Sequence, residues 1–295
     1  MLYVPGDDDR KLAKADESRA DAVVLDLEDS VAVGNRQSAR DKVRRFLADR
    51  PRDQRTYQLW VRINAFDDSA LIDLAAVVAA APDGIVLPKI DGPADVTRLE
   101  HCLDVLEARE GIEHGSIKIC AVATETPTAV LRLHEFANAD LPRLIALNWG
   151  AEDLSAAIGA TTNVDSSGSW ALTYRWARSA VLLAAKAAGV QAIETVYVDY
   201  RDTEGLIAAC REAAKEGFTG RVAIHPGQVT PINDQFTPSA DEVAFAKKIV
   251  ATFASHGEGI GTVGIDGKMF DIPHLKRAQN LLAMHARYLE GAHSA

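Results

Sequence analysis

Three carboxylates, Asp26, Glu28 and Asp29, follow directly on the apolar run 22–25 in DAVVLDLEDSV. Acids at the end of a buried strand are costly unless they are paired, protonated or bound to a cation. Groups of the same kind close other apolar runs: Arg62 and Asn64 in QLWVRINAF, Lys89 in GIVLPKI, Glu125 in IKICAVATE, Asn148, Glu152 and Asp153 in RLIALNWGAED, and His225 in RVAIH. Brought to one place, these acids would repel one another. A hard divalent cation with oxygen ligands is the simplest compensation, and Mg²⁺ typically takes one or two carboxylates together with water and substrate oxygens. Lys89 reads either as a charge balancer for the acids or as a Schiff-base lysine.

A scaffold that gathers strand ends is required. Apolar runs at 2–6, 22–29, 58–66, 84–90, 117–125, 143–153, 190–199 and 221–225 read as strands. Each is followed by a helical pattern: 10–19, 36–49, 71–80, 94–109, 128–137, 170–188, 204–215 and 241–254. Eight β-then-α units in order predict a parallel (β/α)₈ TIM barrel, with an open doubly wound sheet as the alternative. In such a barrel the site lies where strands end and βα-loops begin. Alternation then predicts which side chains meet at the mouth: Asp26 with Glu28; Trp60, Arg62 and Asn64; and Ile117, Ile119, Ala121 and Ala123 leading to Glu125. The aliphatic series would face the outer helices.

The predicted barrel domain covers 1–255. Residues 256–295 form an extension, in which 257–267 is glycine-rich and 272–288 reads as a further helix. The run GIGTVG at 259–264 satisfies GxGxxG but lacks a following βαβ unit, so it reads as a hinge and not as a dinucleotide site. A net charge of −10 argues against nucleic acid or an anionic membrane as partner. Cys102, Cys120 and Cys210 form neither a CxxC pair nor a disulfide framework, which suits a reducing cytoplasm. The start MLYVPGDDDR has no signal-peptide pattern, and no uncharged apolar run reaches membrane-spanning length.

The segments VPGDDDRKLAKA, VVLDLEDSV, WVRINAF, VLPKI, ATETP, WGAEDL, TGRVAIHPGQV and GKMFDIPHLKRAQ, in this order, resemble the citrate lyase beta-subunit and malyl-CoA lyase family of the HpcH/HpaI aldolase superfamily. The resemblance implies a Mg²⁺-dependent carbon–carbon lyase acting on a 3-hydroxy dicarboxylic acid or its acyl-CoA thioester, of malyl, citramalyl or citryl type. By position it implies Glu125 and Asp153 as metal ligands and Arg62 at the substrate oxyanion. Glu28 and Asp29 would hold metal waters and second contacts, as Lys89 could. Asp271 is implied as acid/base in a neighbouring subunit's site, hence a homo-oligomer, a trimer or hexamer. Elementary chemistry agrees: cleavage or condensation passes through an enolate, which Mg²⁺ and an arginine would stabilise. One position departs from the family, in which a basic residue two places after VPG serves coenzyme A phosphates. Asp8 stands there, while Lys14 keeps its family position, so a weakened coenzyme A grip is expected. The alternatives are a Schiff-base aldolase using Lys89 and a non-catalytic keto-acid-binding or regulatory subunit.

Overall fold

The computed structural model describes residues 1–66, 68–257 and 259–293; Glu258, Ser294 and Ala295 of the expected extension lie outside them. Eight strands alternate with helices: β1 (Leu2–Pro5), β2 (Ala22–Asp26), β3 (Gln58–Arg62), β4 (Gly84–Leu87), β5 (Lys118–Val122), β6 (Leu144–Asn148), β7 (Gln191–Glu194) and β8 (Gly220–Arg221). The helices that follow them are α1 (Asp9–Ala13), α2 (Arg36–Ala48), α3 (Ala70–Val77), α4 (Pro93–Glu110), α5 (Pro127–Arg132), α6 (Ala151–Ala157), α7 (Leu172–Ala187), α8 (Thr203–Glu216) and α9 (Val229–Phe236). Every strand pairs in parallel with its neighbour in sequence, in the order β1 to β8. A parallel bridge between Leu2 and Ala223 closes the ring. There Tyr3 N–H donates to Ala223 O at 2.9 Å, and Ala223 N–H donates to Met1 O at 2.8 Å. The sheet is therefore a closed (β/α)₈ barrel, and the open-sheet alternative falls away.

Local chemistry sets the helix ends. Pro93 opens α4, where its missing N–H has no intrahelical partner to lose, and Gly111 ends it at φ +69°. The Asp202 side chain caps α8 by accepting from Gly205 N–H at 2.9 Å. The first helix stops at Ala13, short of the predicted residue 19, as the chain turns through Arg19 at φ +55°.

Inside the ring, Ala22, Val24, Trp60, Val86, Cys120, Val122, Ala146, Ile193 and Val222 form one buried cluster. The indole of Trp60 fills the centre because its register partner is Gly84. A Cβ on Gly84 would lie 2.2 Å from that ring. Outward-facing Val23, Leu25, Leu59, Val61, Ile85, Leu87, Ile119 and Ala121 are fully buried, as are Val43, Leu47, Leu74, Leu99 and Leu103 of the helices. The predicted alternation holds for β2 and β3 and fails for β5. Cys120 and Val122 face inward, so Ile119 and Ala121 face the helices. The strand also ends at Val122, and turns carry the chain onward to Glu125.

The chain divides into two compact units, Met1–Asn233 and Asp234–Ala295. The sequence reading drew this boundary after residue 255. The helix α10 (Ala240–Ser255) instead belongs with the second unit, because Ala246, Ile249 and Phe253 pack with Val263, Ile265, Phe270 and Ala278. The stretch 259–264 read as a hinge runs into an antiparallel hairpin, β9 (Thr262–Ile265) with β10 (Lys268–Asp271), followed by α11 (Ile272–His293). Asp266 at φ +50° and Gly267 at φ +75° make its two-residue turn, for which Asp-Gly is a favoured pair. No described helix is long and apolar enough to cross a membrane.

Gly84→Ala should destabilise the barrel by about 1–3 kcal/mol through overpacking against the indole. In chemical denaturation, Trp60→Leu should relieve that penalty, giving a favourable coupling in the double mutant.

Candidate active site

The ends of β2 to β6 bring six of the sequence-derived residues together: Glu28, Asp29, Arg62, Lys89, Glu125 and Asp153. The organising pair is Arg62 with Asp26. Nε and Nη2 of Arg62 donate to Oδ1 and Oδ2 of Asp26, both at 2.7 Å. Asp26 is 1% exposed. It also accepts from Glu28 N–H at 3.1 Å, Ser30 N–H at 3.2 Å and Ser30 Oγ. Burial alone would raise its pKa, but the bonds and charge of Arg62 outweigh burial and hold it below the usual carboxylate range. The same pairing holds Arg62 firmly charged against its own desolvation. Its third nitrogen, Nη1, lies 3.0 Å from Glu28 Oε2. Its guanidinium carbon sits 5.1 Å from the centre of the Tyr3 ring.

Lys89 follows β4 in a left-handed conformation, φ +51°. Its ammonium bonds Glu28, reaches Asp29 at 3.0 and 3.1 Å, and lies 3.7 Å from Asp153. Burial would lower its pKa, yet Glu28 and Asp29 raise it well above the ordinary value. A Schiff-base lysine must shed its proton, so this environment opposes that role and supports charge balance.

Glu125 is buried and left undercompensated. It accepts the backbone N–H of Lys89. Burial, then the charges of Asp153 and Glu28, push its pKa up to about 8 against that bond and the charge of Arg62. Glu28 is also raised, chiefly by burial and by Asp29, against Arg62 and Lys89. The approach of Glu125 to the β6 loop depends on Gly150, where a Cβ would lie 2.9 Å from Glu125 Cγ. Next to it Trp149 is fully buried; its indole N–H donates to Glu194, and its ring meets Trp170 edge-on at 5.2 Å. Arg178 in turn donates to Glu194 at 2.6 Å. These contacts fix the start of α6, which carries Asp153.

A cavity of about 280 Å³ opens over this cluster, lined among others by Tyr3, Arg62, Glu125, Asn148, Trp149 and Asp153. The donor set fits Mg²⁺. Glu125 and Asp153 repel each other across the cavity wall, and a hard cation between carboxylates relieves that repulsion. Among the described residues no group of three or more His, Cys, Asp or Glu side chains is arranged to hold a metal. Mg²⁺ does not need one, because water and substrate oxygens complete its shell.

The other candidates have different settings. His225 caps the short helix Pro226–Gln228, its Nδ1 accepting from Gly227 N–H at 3.1 Å, and stacks on Tyr200 at 4.9 Å. Asn64 donates to Leu27 O and to Asp73, building the loop between β3 and α3. Glu152 accepts from Asn163 at 2.8 Å. Lys14 is the exposed C-cap of α1. Asp8 caps that helix from the other end, accepting from Arg10 and Lys11 N–H at 3.1 and 3.0 Å, so its charge is absorbed by the helix start. Asp271 belongs to the second unit, where it ends β10 and pairs with His274, which holds its carboxyl below the usual range. Two residues were given no role from the sequence, although alternation placed the first of them, Asp26, at the mouth. Asp26 carried a signal, its shared parity with Ala22 and Val24. Tyr3 carried none beyond an aromatic on the first strand.

The sequence pattern of the HpcH/HpaI aldolase/citrate lyase family matches residues 1–226. The mitochondrial citramalyl-CoA lyase of Rattus norvegicus is 35% identical over 301 residues, covering 96% of this chain and 85% of its own. Citrate lyase subunit beta of Escherichia coli (strain K12) is 35% identical over 285 residues, covering 96% and 91%. The crystal structure of protein CitE from Mycobacterium tuberculosis, in complex with magnesium, acetoacetate and coenzyme A, aligns with a TM-score of 0.75 at 31% identity, covering 97% of each chain.

Because the folded pKa of Glu125 lies above its unfolded value near 4.5, folding stability falls as pH rises from about 4.5 to about 8. The cost is absent below that window and complete above it. Metal-free Glu125→Gln should therefore match the wild type at pH 4.5 and exceed it at pH 8.5 by on the order of 2–4 kcal/mol, read by denaturant titration at both pH values.

Proposed function

The chain belongs to the HpcH/HpaI aldolase/citrate lyase family, and from that premise we propose that Glu125 and Asp153 hold its Mg²⁺ while Arg62 faces the substrate oxyanion. The protein is a Mg²⁺-dependent carbon–carbon lyase acting on a 3-hydroxy dicarboxylic acid or its coenzyme A thioester. The observation that carries the residue assignment is the pairing, in one cavity, of a buried carboxyl with a pKa near 8 and a second carboxylate, faced by a fixed guanidinium.

When bound, Mg²⁺ supplies Lewis-acid stabilisation for the carboxylate and keto oxygens of an α-keto acid. Arg62 has its Nε–H and one Nη2–H fixed on Asp26, which leaves Nη1 donors for an oxygen that gains charge as the carbon–carbon bond breaks. Asp26 is what aims them. Lys89 bonds Glu28 and Asp29 and holds them in place, where both can order water around the cavity. Asp271, which is no ligand in this assignment, moves a proton to and from the carbon released by cleavage. In this reading it acts in the site of a neighbouring copy, which requires a homo-oligomer, a trimer or hexamer. Three free thiols suit a reducing cytoplasm.

Glu125→Ala and Asp153→Ala should each abolish Mg²⁺ binding in calorimetry while leaving the circular dichroism spectrum intact. Retained affinity in both variants would reject the assignment. Asp26→Asn should keep Mg²⁺ affinity but lower turnover of a malyl-, citramalyl- or citryl-thioester by about 10²-fold, since the oxyanion donors lose their aim. Absence of turnover of any of the three by the wild type would favour the binding-subunit alternative.

A further inference from the structure

The run DIPH at 271–274 sets the start of the last helix. Asp271 ends β10 and stands immediately before α11. An acid in that place ordinarily accepts the backbone N–H groups two and three residues on. Position 273 is proline, which has none. The His274 N–H reaches Asp271 Oδ1 only at 3.4 Å, a long bond. The imidazole takes the carboxylate instead, with Nδ1 of His274 bonded to the same Oδ1. The Asp271 N–H also lies 3.3 Å from Nδ1. The closer contact is with an ionised carboxylate oxygen, which carries no hydrogen, so the shared proton belongs to Nδ1. The ring is braced in turn. It meets Phe270 edge-on at 5.2 Å, and Phe270 meets Phe245 at 5.7 Å. Phe270 is buried in the apolar cluster of this unit with Ile249, Phe253 and Val263. The side chains of Asp271 and His274 remain 40% and 36% exposed, open to a reacting partner.

Resting on the assignment of Asp271 as acid/base above, we propose that His274 is its positioning residue. Both bonds that His274 donates end on Oδ1. They stop the carboxylate from turning and leave Oδ2 as the oxygen that exchanges a proton with substrate. In the cleavage direction, the proton on Oδ2 passes to the carbon released as the carbon–carbon bond breaks. In condensation the same carbon returns it to Oδ2, and its electron pair forms the new bond. The imidazole gives up no proton, because its Nδ1–H stays on Oδ1. Such aim matters, since a reacting group misplaced by about 1 Å loses on the order of 10²-fold in rate. His274 acts through Asp271 and not on the substrate.

The test is steady-state turnover of malyl-, citramalyl- and citryl-thioesters by the full-length chain at saturating Mg²⁺, for His274→Phe, His274→Asn and Asp271→Asn. Phenylalanine keeps a ring against Phe270 but has no donor, whereas asparagine puts an amide N–H where Nδ1 stood. His274→Phe should lose about 10- to 100-fold in kcat with KM unchanged, and His274→Asn should recover to within about fivefold of the wild type. His274→Leu takes the place of His274→Phe, with the same expectation, should phenylalanine prevent folding. Wild-type kcat in the folded donor-free variant overturns the inference. So does a His274→Asn variant no better than the donor-free one, which makes the imidazole itself the proton carrier. Full activity of Asp271→Asn, or no turnover of any of the three thioesters by the wild type, overturns the assignment of Asp271 and the inference with it.

Discussion

The site depends on one buried ion pair. Asp26 ends β2 inside the barrel and Arg62 ends β3 in register with it. Two charges in so enclosed a place are unfavourable unless their attraction and hydrogen bonds repay the lost hydration. Here the fork of the guanidinium meets both carboxylate oxygens, a geometry that lysine cannot reproduce. The remaining lone pairs of Asp26 are taken by Ser30 and the Glu28 N–H. The pair thus fixes an arginine at the mouth and, through the same carboxylate, the loop that carries Glu28 and Asp29. Removing either partner would strand the other, at a cost of about 3–5 kcal/mol.

Beyond that pair the charges do not balance. Lys89 must serve Glu28, Asp29 and Asp153, and it does so from a left-handed backbone that costs a residue with a Cβ roughly 1–2 kcal/mol. Among the described residues, Glu125 receives one hydrogen bond, from the backbone N–H of Lys89. A fold selected for stability alone would place a neutral residue there. The deficit instead raises the pKa of Glu125, and a small divalent ion in the cavity would offset the burial and repulsion that oppose its ionisation. Strain and uncompensated charge of this kind concentrate where function requires them.

Much of this was legible in the sequence, for reasons that also explain what was not. Eight apolar runs, each followed by a helical period, dictate the barrel because parallel strands need crossovers and both sheet faces need cover. Arg62 was legible because its strand is regular and alternation carries through to its last residue. Glu125 was identified for a partly wrong reason. Its parity with Ile119 and Ala121 would point it toward the helices, and it reaches the mouth because the strand ends at Val122 and turns follow. Alternation cannot locate where a strand stops, and that decides the orientation of everything after it. The hairpin at 262–271 was hidden by glycine content, although Ile-Asp-Gly-Lys between alternating residues is a turn signal in its own right. Composition suggested flexibility where backbone stereochemistry specifies a tight turn.

The spacing of the two carboxylates proposed for the metal is set by backbone and not by their own side chains. Glu125 and Asp153 follow adjacent strands, β5 and β6, and the chain after β6 passes so close to Glu125 that a Cβ at position 150 would force the Glu125 side chain to shift. Gly150 N–H donates to Thr124 Oγ at 3.0 Å, which ties the two loops together one residue before Glu125. Behind them, Trp149 anchored on Glu194 and Trp170 prevents the start of α6 from retreating. The two loops therefore cannot spread to relieve the repulsion between the acids. That rigidity preserves the demand for a cation: a softer loop would let Asp153 swing toward solvent, and the pKa of Glu125 would relax toward its ordinary value.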